Sequence, residues 1–345
     1  MLKKIIAFIL IILLLLPTFS SCAQKEKQVF ESFEYFDTYS TLTIYGSKDE
    51  ISPLFEEFDR TLSQYHKLLD IYNSYENTVN LKTLNDTAKT STITVSPELF
   101  DILKFGIEMH KKTNGKLNIA IGSVTSLWHD IRETASVSPE SITLPSEDTL
   151  TEALSHTNIN AILLDEKNCS IQITDPKLSL DFGGLAKGYV ASLLYKRLIS
   201  LDCTDFLINL GGNVVSAGKK PDGTSWLTAI ENPFSDNSLG YNKTISLDNE
   251  TLVTSGSYQR YFIYEDKNYS HIIDSSNGYP PTFFTSVTVK SSSENSGLAD
   301  ALSTALFCMN YEEGYALISS LDDVEALWIF NDGSYKASDN FGGAK

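Results

Sequence analysis

Two short apolar segments of this chain each run straight into a pair of glycines. Leu178 to Phe182 precedes Gly183-Gly184, and Phe206 to Leu210 precedes Gly211-Gly212. Behind the first pair, Leu185 to Ser200 has helical spacing, so a strand is expected to turn directly into a helix there. Further strands are expected at Phe33–Tyr45, Trp226–Ile230, Ser286–Lys290 and Val324–Phe330, with a strand–turn–strand unit in Ile159–Ile173. Helices are expected at about Glu50–Tyr72, Leu298–Met309 and Tyr311–Ser319. Another starts at Ser96-Pro97-Glu98, an N-cap followed by proline at the first helical position, and stops at Asn114-Gly115. Asn73–Lys89 and Ser136–Asp148 read as loops. Strands and helices do not alternate regularly, which selects an α+β class, a mixed sheet with packed helices, over a doubly wound sheet.

The N-terminus reads as an export signal. Lys3 and Lys4 precede an apolar run from Ile5 to Leu16, twelve residues long. That suits a signal h-region and falls short of the roughly 20 apolar residues that span a bilayer. Phe19-Ser20-Ser21-Cys22 then resembles a bacterial lipobox. The expected division is a lipoprotein signal peptide over 1–21, a lipid-anchored polar tether over 22–30 and a folded unit over 31–345. Cys22 is the expected acylation site, with the protein on the extracytoplasmic face of the cell membrane and its site held close to that membrane. An ordinary signal cut nearby is the alternative. One acyl chain binds membranes only marginally, so stable anchoring needs more than one.

Removing residues 1–21 takes away two lysines and no acids, so the net charge goes from −17 to −19. Such an acidic chain lacks the cationic surface that nucleic acid requires. The remaining length exceeds 300 residues, enough for a single globular unit of two lobes. Beyond Cys22, the cysteines Cys169, Cys203 and Cys308 are widely spaced and odd in number. They suggest neither a disulfide framework nor a zinc site, and are expected to be buried small apolar residues.

Four constellations carry chemistry. Asp181-Phe-Gly-Gly-Leu-Ala-Lys187-Gly places glycines and a helix N-terminus together, which suits an anion; alone, it serves equally as a capped turn. Asn209-Leu-Gly-Gly-Asn213 is by itself a turn. Thr254-Ser-Gly-Ser-Tyr-Gln-Arg260 is followed by Tyr269-Ser-His271-Ile-Ile-Asp274, where a histidine sits among hydroxyl and carboxylate groups before a turn. Asp300 and Thr304 are four apart on one helix face, and both are hard oxygen donors suited to Mg²⁺; taken alone, the pair is more simply read as Asp300 at a helix N-terminus and Thr304 against neighbouring backbone.

Taken in order, these pieces resemble the ApbE family of FAD:protein FMN transferases, from about Phe36 to Ala316. The specific matches are Asp181–Tyr189, Thr254-Ser-Gly-Ser-Tyr258, His271-Ile-Ile-Asp274 and Ala299–Thr304, with Phe36-Asp37-Thr38, Asn80–Asn85 and Thr113-Asn-Gly115 in support. The resemblance implies an ApbE-like fold and an enzyme that moves FMN from FAD to a Thr or Ser hydroxyl, releasing AMP. The implied partners are FAD and exported or membrane-bound redox proteins. It also implies a Mg²⁺ ion held by Asp300, Thr304 and a backbone carbonyl near Gly184. FAD would meet Thr38, Asn85, Gly115, Lys116, Leu117, Asp181, Lys187, His271 and Ile272. His271 is the candidate base, because a carboxylate bound to a cation accepts protons poorly.

The chain departs from the family pattern in two places. Gly115-Lys116-Leu117-Asn118 stands where many members have Gly-Ala-Phe-Asp, and Phe36-Asp37-Thr38 where many have Met-Gly-Thr. The alternatives are an FAD pyrophosphatase yielding FMN and AMP, and a non-catalytic flavin-binding lipoprotein.

Overall fold

A computed structural model describes residues 25–89, 91–234, 241 and 243–342. The signal segment and Cys22 lie outside the described residues. Among the described residues, no helix is long and apolar enough to cross a membrane.

The frame is an eight-stranded antiparallel sheet in the order β1-β2-β6-β7-β10-β13-β14-β15. These strands are β1 Lys27–Ser32, β2 Ser40–Tyr45, β6 Phe206–Leu210, β7 Asn213–Ala217, β10 Glu250–Gly256, β13 Phe284–Ser292, β14 Glu325–Phe330 and β15 Tyr335–Ala337. Side chains alternate across each strand. In β6, Phe206, Ile208 and Leu210 enter the main core, while Leu207 packs against a second cluster on the other face. Helices α6 (Ala186–Ser200) and α7 (Ser296–Phe307) fill the main core with Leu194, Leu198, Leu302 and Leu306. Each such fully buried side chain contributes roughly 1.5–3 kcal/mol. The second cluster includes Trp226, Ile245 and Leu247 from the hairpin β8 (Trp226–Ala229) and β9 (Thr244–Leu247).

Around this frame lie α1 (Lys48–Leu69), α2 (Leu81–Thr87), α3 (Pro97–Lys112), α4 (Gly122–Val137), α5 (Glu147–Ser155) and α8 (Tyr311–Ser319). A small sheet joins β3 (Ile93–Thr94), β5 (Ser170–Ile173) and β4 (Ile162–Asp165). A separate hairpin, β11 (Tyr261–Tyr264) with β12 (Lys267–Ser270), packs on α4 and α5 in a third core containing Val124, Trp128, Leu150, Phe262 and Ile273. The α+β class is as expected. So are the ends of α3: Ser96 Oγ accepts from the Leu99 N–H, and Asn114 and Gly115 close the helix at φ +52° and +84°.

Several elements differ from expectation. Of the strand expected over Phe33–Tyr45, only Ser40–Tyr45 is strand; Phe33–Tyr39 form the turn that links it to β1, in which Phe36 and Asp37 adopt φ of +55° and +49°. Lys27–Phe30, expected as tether, pair with β2 as the sheet edge. Edge strands keep polar and charged residues against further pairing, so their composition resembles that of a linker. The expected loop Asn73–Lys89 contains α2, capped by Asn80, whose side chain accepts from the Thr83 N–H. The expected loop Ser136–Asp148 takes in the last turn of α4 and the first of α5. Leu178–Phe182 is not a strand; it makes one isolated bridge, Ile121 to Ser179, and the Asp181 N–H donates to the Ile119 carbonyl at 2.9 Å. Its apolar run is explained by burial of Leu178, Leu180 and Phe182 in the core. Cys203 and Cys308 are buried free thiols, whereas Cys169 is half-buried at φ +45° in the β4–β5 turn.

Candidate active site

The centre of the site is the junction of α6 and α7. Gly188 lies in the first turn of α6, where backbone N–H groups have no intrahelical partner. Its N–H donates to Asp300 Oδ2 at 2.7 Å. A Cβ at Gly188 would sit 2.4 Å from both Asp300 Cβ and the Ser296 carbonyl oxygen, so only glycine allows the two helices this close. One turn along α7, Thr304 Oγ1 donates to the Gly184 carbonyl at 3.2 Å and lies 3.3 Å from Ser255 Oγ. A Cβ at Gly184 would meet Leu117 Cδ1 and Thr304 Cγ2 at 3.0 Å. The carbonyl, the carboxylate and the hydroxyl expected to form a metal site are thus brought together.

Asp300 is 5% exposed. Burial raises its pKa, against the lowering effects of the Lys187 charge, the Gly188 N–H and the Asn213 amide. A divalent cation would compensate the same buried charge. Among the described residues, no group of three or more His, Cys, Asp or Glu side chains forms a metal cluster. A site with one carboxylate and neutral oxygens suits Mg²⁺, which commonly takes one or two carboxylates plus substrate phosphates. The residues present fit that ion.

His271 follows β12 directly. Its N–H donates to the Arg260 carbonyl at 2.9 Å, and its ring Nδ1 lies 3.1 Å from the same oxygen. A carbonyl only accepts, so Nδ1 carries the proton and Nε2 keeps its lone pair. Burial pushes the imidazole pKa down to about 4, helped by the charges of Lys187, Arg260 and Arg132. The ring is therefore neutral at pH 7. Lys187, in the first turn of α6, acts electrostatically on both Asp300 and His271 and links the two halves of the site.

The other expected contacts have varied surroundings. Asp181 accepts from Thr125 Oγ1 at 2.7 Å and from the Gly183 N–H at 2.8 Å, fixing the Gly183-Gly184 turn. Asn85 pairs with the backbone of Leu180, accepting from its N–H at 2.7 Å and donating to its carbonyl at 3.1 Å. It thereby holds the strand-like segment that delivers Asp181. Thr38 meets the second glycine pair: a Cβ at Gly211 would lie 2.0 Å from Thr38 Oγ1. Lys116 forms an ion pair with buried Asp274 at 3.0 Å and tethers the loop after His271. Gly115 accepts from Ser275 Oγ at 2.8 Å, and Leu117 and Ile272 are buried. A concavity of about 660 Å³ is lined by Gly115, His110, Ile159 and Leu163 but by none of Asp181, Lys187, His271 or Asp300.

Sequence reasoning missed α4 and its contribution. Thr125, Trp128 and Arg132 follow each other at helical spacing, and all three serve the site. Trp128 stacks on Tyr269 with ring centroids 5.7 Å apart and donates from Nε1 to the Gly278 carbonyl at 2.7 Å. It thus fixes the hairpin whose ends carry Arg260 and His271. Exposed Tyr72 lies over His129 of the same helix, with ring centroids 5.3 Å apart. The i, i+3, i+7 spacing was the signal available.

A model of the ApbE family matches residues 36–328. An FAD:protein FMN transferase of Klebsiella pneumoniae (strain 342) is 28% identical over 269 residues, covering 78% of this chain and 79% of its own length. One from Haemophilus influenzae is 27% identical over 325 residues, covering 90% and 89%. The crystal structure of the ApbE protein from Thermotoga maritima superposes with a TM-score of 0.78 at 25% identity, covering 92% of this chain and 98% of that one. Matched over most of its length in sequence and in fold, the chain belongs to the ApbE family.

Proposed function

We propose that this protein transfers FMN from FAD to a Thr or Ser hydroxyl of an exported or membrane-bound redox protein, with Mg²⁺ as cofactor. The observation that carries this reading is the meeting of Gly184, Asp300 and Thr304 within reach of the Lys187 charge that also acts on His271. The acceptor oxygen forms a bond to the FMN phosphorus. The pyrophosphate P–O bond breaks, and AMP leaves with the bridging oxygen. Gly184, Asp300 and Thr304 would hold the Mg²⁺, which when bound neutralises charge on the phosphates. Lys187 adds a fixed positive charge beside them. His271, kept neutral and held in one tautomer by Arg260, takes the hydroxyl proton at Nε2. Asp181 and Asn85 hold the glycine turn in place rather than moving protons.

The test is incubation with FAD, Mg²⁺ and candidate exported proteins, read as flavin fluorescence on a denaturing gel. A fluorescent acceptor band is expected, absent with Asp300→Ala. Free FMN and AMP with no labelled acceptor would establish the pyrophosphatase instead. FAD binding without turnover would establish a binding protein.

The proposed location is the extracytoplasmic membrane face, through a lipid on Cys22. The support is the twelve-residue apolar run ending shortly before Ser20-Ser21-Cys22. Cys22→Ala should release the protein from the membrane fraction; unchanged membrane association would overturn the anchor.

A further inference from the structure

Lys116 spends its whole ammonium on one loop. It donates to Asp274 Oδ1 at 3.1 Å, to Asp274 Oδ2 at 3.0 Å and to Ser276 Oγ at 3.1 Å. An ammonium has three N–H donors, and three bonds are made. Bonds run the other way as well. Ser275 Oγ donates to the Gly115 carbonyl at 2.8 Å and lies 3.3 Å from that of Lys116.

The two loops joined in this way are held differently. The first continues the C-terminus of α3. The Gly115 N–H donates to the His110 carbonyl at 2.8 Å, and the Lys116 N–H to that of Thr113 at 3.0 Å. The Leu117 N–H donates to Thr113 Oγ1 at 3.1 Å, and the Leu117 carbonyl accepts from His110 Nδ1 at 2.9 Å. Every residue from Gly115 to Leu117 is thus bonded back to the helix. The second loop, 271–283, joins β12 to β13 without regular structure. It starts at His271, whose N–H is held by the Arg260 carbonyl. Asp274 follows three residues on, and three residues of chain reach at most about 11 Å. A shift of Asp274 is therefore carried to His271.

The clamp is tight because of where its charge sits. Asp274 is 4% exposed. Ser276 gives its N–H and its hydroxyl to Oδ1, at 2.9 and 2.7 Å. Among the described residues, Oδ2 accepts from Lys116 alone, and Lys116 is the only cation paired with this carboxylate. While the carboxylate stays buried, parting from Lys116 would strand an unpaired charge.

We propose that Lys116 is a positioning residue for His271: by pinning Asp274 to the end of α3, it fixes where the loop, and with it the imidazole, stands in the cleft. The proposal rests on the role given to His271 above. In this role Lys116 acts through Asp274 rather than on the reacting atoms.

The test compares wild type with Lys116→Met, Lys116→Arg and the double variant Lys116→Met with Asp274→Asn. The readouts are kcat at saturating FAD and acceptor, the melting temperature, and amide exchange over residues 271–276. In Lys116→Met, kcat should fall roughly 10- to 100-fold, the effect of a displacement of about 1 Å at a reacting group. The His271 and Ser276 amides should exchange about tenfold faster or more. The double variant buries no charge, so its melting temperature should return toward wild type while kcat stays low. Lys116→Arg keeps the charge and can pair with both carboxylate oxygens, and should keep most of the wild-type rate. Wild-type kcat in Lys116→Met would overturn the proposal. So would a double variant that regains kcat together with its melting temperature, since the pair would then serve folding alone. Should Lys116→Met not fold, the double and arginine variants decide. If wild type labels no acceptor, the functional reading falls, and amide exchange still reads the clamp. Unchanged exchange in both methionine variants removes the clamp whatever the enzyme does.

Discussion

The backbone N–H of Gly188 donates to the Asp300 carboxylate at 2.7 Å, and the same glycine leaves no room for a side chain between α6 and α7. One residue therefore sets both the charge environment and the position of the proposed metal ligand. Gly188→Ala must push Asp300 and the Ser296 backbone away. The expected cost is about 1–3 kcal/mol in a urea melt, together with loss of FMN transfer. Wild-type transfer in this variant would show that the close approach is dispensable.

Asp300 is held against its own preference. Its folded pKa is raised by burial, so protonation favours the folded state and ionisation detracts from stability. Asp300→Asn keeps an acceptor for the Gly188 N–H and removes the buried charge. Metal-free Asp300→Asn should therefore melt higher than wild type while losing Mg²⁺-dependent transfer. In the wild type, Mg²⁺ affinity measured by calorimetry should fall as pH drops through the raised pKa, starting above the usual carboxylate range.

His271 should stay neutral in the ligand-free protein until the pH approaches 4, with the proton on Nδ1. Nitrogen-detected NMR of labelled histidine reads both properties. Because this pKa lies below the unfolded value of about 6.5, the neutral ring supports the fold fully above that value. The support is lost as pH falls toward 4. His271→Gln should lower the transfer rate by about 10²–10⁴ if the ring takes the proton; a smaller loss would assign the proton to another group.

Asp37 occupies φ +49° where many family members have glycine. Asp37→Gly should relieve that strain and raise stability by up to about 1 kcal/mol. The carbonyl at position 37, which accepts from Arg260 Nη2 at 2.8 Å, is retained, so FAD affinity should change little. A fall in thermal stability would show that the aspartate side chain matters more than its backbone.

The parts of this fold legible in the sequence are those where local chemistry and the global structure agree. The Ser96-Pro97 start and the Asn114-Gly115 stop of α3 needed no tertiary information. Gly184, Asp300 and Thr304 were recognisable through the resemblance to the ApbE family; the helix face and the glycine turn by themselves fit capping and packing equally well. Helix α4 was hidden because its cleft side carries Thr125, His129 and Arg132, polar residues placed for the site, which breaks the apolar stripe. Asn85, expected at the ligand, also pairs through its amide with the backbone of Leu180, 95 positions away in the chain. A contact of that kind cannot be read from neighbouring residues. The turn at Phe36-Asp37 was hidden for a related reason: apolar and aromatic residues on both sides continue a strand pattern that the backbone abandons.

Strand β1 acts as a spacer. It enters the sheet at Lys27, opposite Tyr45, and leaves at Ser32, opposite Ser40. Thr38 and the Gly211 turn follow at that second end, beside the cleft. Six residues of strand span about 20 Å. The start of the folded part at Lys27 and the turn carrying Thr38 thus lie at opposite ends of one strand, and β1 sets the distance between them.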